Sequence, residues 1–205
     1  MTRAAHDGAA RREFVTLEYG RTRCYLLLGS SGNVMVDTDL AGTMPALASA
    51  LRTRGLSVAD VSHLMVTHFH PDHMGLVREL QDVGAKLVVW DSQATHTHDA
   101  DGVYRKWGSR DFLPVDDAAA RVLPLSQSRG FLSDLGICGE VLPTPGHSPD
   151  SASVVLDSGD AFVGDLCPSE QAALFPDPAY VRSWEALLEH GARCIHFAHW
   201  PDEDF

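Results

Sequence analysis

Short apolar runs separated by turn residues fill the first part of the chain, and they predict β-strands. EFVTLEYG at 13–20 alternates apolar and polar positions, as a strand with one buried face does. RTRCYLLLG at 21–29 and VMVDTD at 34–39 follow, with the turn residues SSGN between them. TMPALASALRTRG at 43–55 has helical spacing instead and stops at a glycine. This part of the chain is therefore predicted as three strands followed by a helix.

Strands and helices alternate in the next part of the chain. VSHLMVTH at 61–68 predicts a buried strand, GLVRELQDVG at 75–84 a short helix, and AKLVVWD at 85–91 another strand. Such alternation is typical of an α/β layered sheet. Residues 91–120 are polar with scattered aromatic residues and no clear period, which predicts a loop or an irregular helical excursion. Long excursions of this kind are commonly functional.

The second half returns to strand patterns around one clear helix. The helix is AYVRSWEALLEHG at 179–191, which ends at a glycine. The predicted strands are ARVLPL at 120–125, GICGEVLPT at 136–144, SASVVLDS at 151–158, DAFVGD at 160–165 and RCIHFAH at 193–199. Each half thus begins with strands and contains a helix. The pattern favours a β-rich sandwich with helices outside, and the length of 205 residues suits a single domain over residues 1–205.

Charge and composition narrow the partners that the chain can have. The net charge of −12, from 16 basic and 28 acidic residues, argues against binding nucleic acids or anionic membranes, because both need a basic face. The N-terminal MTRAAHDGAARREF has no apolar stretch typical of an export signal, and no run reaches the length of a membrane span. The four cysteines form no CxxC pair, so we expect free thiols and a cytoplasmic location. The sequence leaves the oligomeric state open.

The stretch VTHFHPDHMG at 66–75 has the composition of a metal site. His68 and His70 are two residues apart at the end of a predicted strand, so both imidazoles can face one ion. Asp72 and His73 follow in the turn, and the charge of Asp72 favours a second cation. Zinc suits such nitrogen and oxygen donors, and iron or manganese would also accept them.

Further candidate ligands lie at later strand ends. His147 follows Pro145 and Gly146 in a tight turn, Asp165 follows an apolar strand, and His199 ends the last predicted strand. Each of these residues alone is weak support for a site, since His147 or His199 taken singly can equally be a core histidine with its hydrogen bonds satisfied.

These motifs together resemble the metallo-β-lactamase-fold superfamily of metallohydrolases. The matching segments, in the family's order, are MVDTD at 35–39, THFHPDH at 67–73, TPGHSPDS at 144–151, VGD at 163–165 and FAHW at 197–200. The resemblance covers nearly the whole chain. It implies an α/β fold, an αββα sandwich, with a site for two divalent metal ions on its rim.

The resemblance also implies a role for each site residue. One metal would take His68, His70 and His147, the other would take Asp72, His73 and His199, and Asp165 would bridge the two. His196 competes with His199, which is preferred because Ala198 stands where the family has glycine. Asp37 would orient a ligand, or merely cap its strand.

The reaction that the resemblance implies is hydrolysis of a small-molecule substrate. A hydroxide bridged by two metal ions, with zinc as the expected metal, would attack a small ester, thioester or lactone, and Asp72 would hold that hydroxide as the catalytic carboxylate. Pro168 stands where acyl-homoserine lactonases have tyrosine, and the C-terminal helical domain of glyoxalase II enzymes is not expected.

The segments 91–120 and 166–180 would wall the substrate pocket. Candidate lining aromatics are Trp90, Tyr104, Trp107, Phe112, Phe175 and Tyr180, although packing is favoured for each one.

Two other functions stay open at the level of sequence. One is a mononuclear iron oxidoreductase similar to persulfide dioxygenases, with the iron held by His68, His147 and Asp165. The other is a ligand-binding member of low turnover. A complete set of seven ligands argues against the latter, because buried charges are costly without a metal.

Overall fold

Two β-sheets lie face to face in the computed structural model, which describes residues 13–205. The first sheet has six strands in the order β1-β2-β3-β4-β5-β6. They are β1 Phe14–Glu18, β2 Arg23–Leu27, β3 Asn33–Val36, β4 Val61–Met65, β5 Lys86–Trp90 and β6 Ala120–Leu123. Strands β1 to β3 are antiparallel, and β3 to β6 are parallel. The carboxyl ends of β3 and β4 therefore meet at one edge of the sheet.

The second sheet has five strands in the order β11-β10-β9-β8-β7. They are β7 Gly139–Pro143, β8 Ala152–Leu156, β9 Asp160–Gly164, β10 Cys194–Phe197 and β11 Glu203–Asp204. Strands β9 and β10 are parallel, and the other neighbouring strands are antiparallel. The carboxyl ends of β9 and β10 therefore meet at one edge of the second sheet.

Helices cover the outer faces of both sheets, except for the helix at 128–134, whose Phe131 and Leu132 join the cluster between the sheets. They are α1 Met44–Thr53, α2 Pro71–Met74, α3 Val77–Asp82, α4 Asp99–Trp107, α5 Ser128–Asp134 and α6 Ala179–Glu189. Side chains of α1, α3 and α4 join the core cluster on the first sheet, and those of α6 join the cluster on the second. The predicted αββα sandwich is therefore confirmed.

The strands alternate their side chains between these layers. In β2, Cys24 and Leu26 face the helices, while Tyr25 and Leu27 face the other sheet. This period of two on a sheet with both faces covered explains the nearly continuous apolar runs in the sequence. Trp90 is fully buried in the cluster between the sheets. Packing, the role favoured for this residue from the sequence, is therefore what the structure shows, because Trp90 ends a strand whose side chains fill the sandwich.

Several element boundaries differ from the sequence predictions. The strand predicted over 61–68 ends at Met65, so the site histidines lie in the loop that follows. The helix predicted over 75–84 is the shorter α3, α2 precedes it within the histidine-rich turn, and the excursion at 91–120 contains α4. Helix α5 has no counterpart among the predicted elements. The N-terminal segment without an export signal falls mainly on residues 1–12, which lie outside the described residues.

None of the helices within residues 13–205 is both long enough and apolar enough to cross a membrane.

Candidate metal centre

The candidate ligands gather at the edge of the sandwich where the parallel strands of both sheets end. The first sheet supplies the loop after β4, which runs into α2, and the second supplies the β7–β8 loop and the ends of β9 and β10. The residues brought together are His68, His70, Asp72, His73, His147, Asp165 and His199. All seven residues selected from the sequence thus meet in one place.

Three histidines from two loops form the first group, which we call the first trio: His68, His70 and His147. One ligand atom from each lies within 4.8 Å of the others. The Nε2 atom of His147 is 3.0 Å from Nδ1 of His70. Two ligands held tetrahedrally by zinc at about 2.1 Å are themselves about 3.4 Å apart. The first trio is therefore compact enough to hold a single ion.

Asp72, His73 and His199 form the second trio. Their ligand atoms also lie within 4.8 Å of one another. The Nε2 atom of His199 is 3.2 Å from Oδ2 of Asp72, and Nε2 of His73 is 3.9 Å from Oδ1 of Asp72. His73 is fully buried, whereas Asp72 and His199 are about one-third exposed, so this trio faces the opening of the site.

Asp165 stands between the two trios with one oxygen directed at each. Its Oδ2 atom lies 3.4 Å from Nε2 of His147 and 4.0 Å from Nε2 of His68. Its Oδ1 atom lies 3.1 Å from Nε2 of His73 and 3.4 Å from Nε2 of His199. A carboxylate in this position can be a ligand of two ions at once.

Buried polar atoms without partners mark the same spot. Of the six buried side-chain atoms that form no hydrogen bond among residues 13–205, three lie here: His68 Nε2, His73 Nε2 and Asp165 Oδ1. The close approach of His73 Nε2 to Asp165 Oδ1 does not have hydrogen-bond geometry. Such atoms normally carry a large desolvation cost, and cations at the two trios would satisfy these three. The residues present therefore fit divalent metal ions.

Asp37, directly after β3, fixes the orientation of the buried histidines. Its Oδ2 atom accepts from Nδ1 of His73 at 2.9 Å, and its Oδ1 accepts from the Thr67 backbone N–H at 2.7 Å. The Thr67 hydroxyl donates to Asp37 and lies 3.1 Å from Nδ1 of His68. With both Nδ1 atoms engaged, the Nε2 atoms face the site. Asp37 thus makes the contact expected of a residue that orients a ligand.

Burial and neighbouring charges shift the pKa values of three of these groups. Burial and the neighbouring imidazoles lower the pKa of His68 well below its ordinary value. Burial raises the pKa of Asp72, but the hydrogen bond from His199 and the charge of His73 outweigh it, and the pKa falls to about 2. Burial lowers the pKa of His73, but the negative charges of Asp37 and Asp165 outweigh it, and the pKa is raised well above its ordinary value. His68 is therefore neutral, and Asp72 is ionised, at neutral pH.

His199 rather than His196 belongs to the cluster. Both nitrogens of His196 are engaged elsewhere, Nδ1 with Asp202 at 2.9 Å and Nε2 with Asp160 at 2.8 Å. The Nδ1 atom of His199 lies 3.2 Å from the Arg21 carbonyl oxygen, which leaves Nε2 for the site. The structure therefore agrees with the preference for His199.

Two buried polar residues near the site were not identified from the sequence. Asp150 accepts from the Phe69 backbone N–H at 2.8 Å, and Gln93 donates to backbone carbonyls of both ligand loops. Asp150 lies within the TPGHSPDS segment, so its proximity to His147 was visible in the sequence. Gln93 lies in the polar excursion, and no pattern there distinguishes it.

The remaining predicted aromatics lie beside the site in two stacked pairs, apart from exposed Trp107. Tyr104 stacks on Phe112 with ring centroids 4.0 Å apart, and its hydroxyl donates to the Pro71 carbonyl at 2.6 Å. Tyr180 stacks on Phe175 at 4.3 Å and covers Gly146, where a Cβ would lie 2.9 Å from the ring. Tyr104 and Tyr180 are buried, and both pack against the ligand loops, at Pro71 and at Gly146.

Comparisons with known proteins agree with this geometry. The family model described as the metallo-beta-lactamase superfamily matches residues 18–197. The beta-lactamase-like protein 2 homolog of Drosophila melanogaster is 28% identical over 172 residues, which cover 82% of this chain and 54% of that protein. A hydroxyacylglutathione hydrolase of Rhodopseudomonas palustris (strain BisB18) is 30% identical over 170 residues, which cover 80% of this chain and 55% of the relative. The chain thus spans about half the length of these curated relatives.

Solved structures also resemble this chain. TTHA1623, solved in a di-iron-bound form, superposes with a TM-score of 0.67 at 25% sequence identity, and the match covers 93% of each chain. A B3 metallo-beta-lactamase, BLEG-1, superposes with a TM-score of 0.68 at 22% identity and likewise covers 93% of each chain, which supports the fold.

Proposed function

Because the chain belongs to the metallo-beta-lactamase superfamily, we propose that it is a metal-dependent hydrolase with a dinuclear site that cleaves a small thioester, ester or lactone. The observation that carries the proposal is Asp165, whose two oxygens face two separate groups of ligand atoms. A mononuclear site would not use His73 and His199, and their proximity to Asp165 therefore favours two ions over one.

The donor set favours zinc, with iron as the alternative. Three imidazoles and a carboxylate are a common set of zinc ligands, and non-haem iron also accepts them. Iron is the alternative because TTHA1623, which has a similar structure, was solved in a di-iron-bound form. Divalent cations held by these residues would lower the pKa of a bound water and polarise the carbonyl group of the substrate.

Asp72 is the proposed catalytic carboxylate of the chain itself. It is about one-third exposed at the opening of the site, and its pKa of about 2 keeps it ionised. Oδ2 contacts His199, and Oδ1 makes only the longer approach to His73. This oxygen can accept a hydrogen bond from the attacking water and orient it towards the substrate.

A thioester is the substrate class that the relatives favour among the three. The relative from Rhodopseudomonas palustris is named a hydroxyacylglutathione hydrolase, and such an enzyme cleaves a thioester. This chain matches about half of that relative, so the group attached to the sulfur is not carried over with the name.

Metal content and hydrolysis, measured on the same preparation, test the proposal. The protein is purified without added metal, its metals are counted, and it is assayed on p-nitrophenyl esters, a thioester and a lactone. We expect about two zinc ions per chain, with turnover that a chelator removes and zinc restores, and that is lost in Asp72→Ala. A single iron per chain, with oxygen uptake on a persulfide, would overturn the hydrolase and support an oxidoreductase.

A further inference from the structure

We propose that Gln93 is a positioning residue that ties together the two loops of the first trio and thereby sets the metal affinity of that trio. The inference rests on the proposed function, since it assumes that His68, His70 and His147 hold an ion. It concerns a residue that is not itself a ligand and that no sequence motif identifies.

The side-chain amide of Gln93 contacts both loops. Gln93 is fully buried, and its Nε2 atom lies 3.0 Å from the Val66 carbonyl oxygen and 3.1 Å from that of Thr67. The same Nε2 lies 3.1 Å from the carbonyl oxygen of Asp150. Val66 and Thr67 lead directly into His68, and Asp150 lies shortly after His147. One amide group therefore connects the backbone on either side of the first trio.

Two further hydrogen bonds join the same loops. The Oδ2 atom of Asp150 accepts from the backbone N–H of Phe69 at 2.8 Å, between the two histidines of the first loop. The backbone N–H of Ala152 donates to the Thr67 carbonyl at 2.8 Å. The first loop is thus fixed to the second on both sides of His68, and Gln93 is the member of this network that comes from neither loop.

Hydrogen bonding, rather than packing, explains an amide at this position. A buried amide is costly unless its donors are used, and an apolar residue of similar length would fill the space without that cost. The Nε2 group has two hydrogens for three carbonyl acceptors, so all of its donor capacity is directed at the two loops. Removing it leaves buried carbonyls with fewer partners and allows the loops to separate.

The hydrogen bonds of Gln93 do not include any residue of the second trio. His73 is held by Asp37, and His199 comes from the end of β10 in the other sheet. A change at Gln93 should therefore act on one metal position and spare the other. Such selectivity distinguishes a positioning role from a general loss of stability.

Single-site backgrounds measure this selectivity. His199→Ala removes a ligand of the second trio, and His147→Ala removes a ligand of the first. Zinc affinity is measured in each background by competition with a chromophoric chelator, with and without Gln93→Met. In the His199→Ala background we expect Gln93→Met to weaken zinc binding about tenfold or more, the size typical when a group supporting a metal ligand is lost. In the His147→Ala background we expect no change.

Gln81→Met is the matched control. Gln81 is another glutamine whose side-chain amide bonds to backbone groups. Its Nε2 donates to the Asp116 carbonyl oxygen at 2.9 Å, and its Oε1 accepts from the Asp116 backbone N–H at 3.0 Å. It lies in α3, away from the ligand loops, and its replacement should leave zinc affinity unchanged in both backgrounds. If circular dichroism shows that Gln93→Met is unfolded, Gln93→Asn is used instead, because it keeps the amide and withdraws it by one methylene.

The outcomes separate the inference from the proposed function. Equal zinc affinity with and without the Gln93 change in the His199→Ala background would overturn the positioning role, as would equal weakening in both backgrounds. If the unaltered chain does not bind two ions at all, the dinuclear hydrolase fails first.

Discussion

At the scale of single residues, the chemistry of the site depends on which nitrogen of each histidine carries its proton. The carboxylate of Asp37 can only accept, so the His73 nitrogen beside it, Nδ1, must be the donor. In the neutral imidazole, Nε2 of His73 then carries the lone pair for a metal ion, which must displace the proton that the raised pKa of His73 favours. Asp37 adopts a left-handed backbone conformation with φ of 62°, which asparagine also tolerates.

Replacing Asp37 with asparagine should therefore keep the backbone and change the chemistry. The asparagine amide can donate to Nδ1 of His73, which would move the imidazole proton to Nε2 and block the second trio. We expect zinc affinity at that trio to fall about 10- to 100-fold, measured by chelator competition. Asp160→Asn, which alters an aspartate–histidine contact with His196 away from the site, is the control. Unchanged zinc binding in Asp37→Asn would show that Asp37 does not set the proton position.

At the scale of elements, the division between α2 and α3 is what places Asp72 and His73. Gly75, which ends α2, passes against the loop after β3, and its backbone N–H donates to the Asp39 carbonyl at 2.9 Å. A Cβ at Gly75 would lie 2.1 Å from the Ala41 nitrogen and 2.4 Å from the Leu40 carbonyl carbon. Only a residue without a side chain permits this approach.

Gly75→Ala should for this reason destabilise the fold and displace α2. The contacts are with backbone, which cannot move aside as a side chain does, and we expect the free energy of unfolding to fall by about 2–3 kcal/mol in urea denaturation. Gly102→Ala is the matched control, because Gly102 lies in α4 with no atom near its would-be Cβ. There alanine should raise stability by about 0.5–1 kcal/mol. A neutral Gly75→Ala would mean that the loop after β3 can move.

The sequence predicted the residues of the metal site better than it predicted the ends of strands and helices. Strand patterns were recognisable because buried strands are nearly continuous apolar runs, and the motif at 67–73 pointed to a metal site through its donor types. The end of β4 at Met65 and the separation of α2 from α3 depend on contacts with the loop after β3, which are distant in sequence. For the same reason the sequence left two roles open for Trp90, since an aromatic residue at a strand end can lie in the core or beside the site. Gln93 was missed because its partners belong to two other loops.

At the scale of the whole molecule, the candidate metal centre joins the two sheets. His68, His70, Asp72 and His73 come from the first sheet, and His147, Asp165 and His199 come from the second. Ions bound here would cross-link the layers and satisfy the unpartnered Nε2 atoms of His68 and His73 and the Oδ1 atom of Asp165. Metal binding and global stability should therefore be coupled.

Metal removal should lower the melting temperature of the whole chain as a result. An ion present at 1,000 times its Kd stabilises the native state by about 4 kcal/mol, and for a chain of this size each kcal/mol shifts Tm by about 2–4 °C. We expect a chelator to lower the calorimetric Tm by roughly 10 °C per site lost, and zinc to restore it. In Asp165→Ala, where the carboxylate shared by both trios is absent, the chelator should have a smaller effect. A Tm that the chelator leaves unchanged in the unaltered chain would mean that the ions do not hold the sheets together.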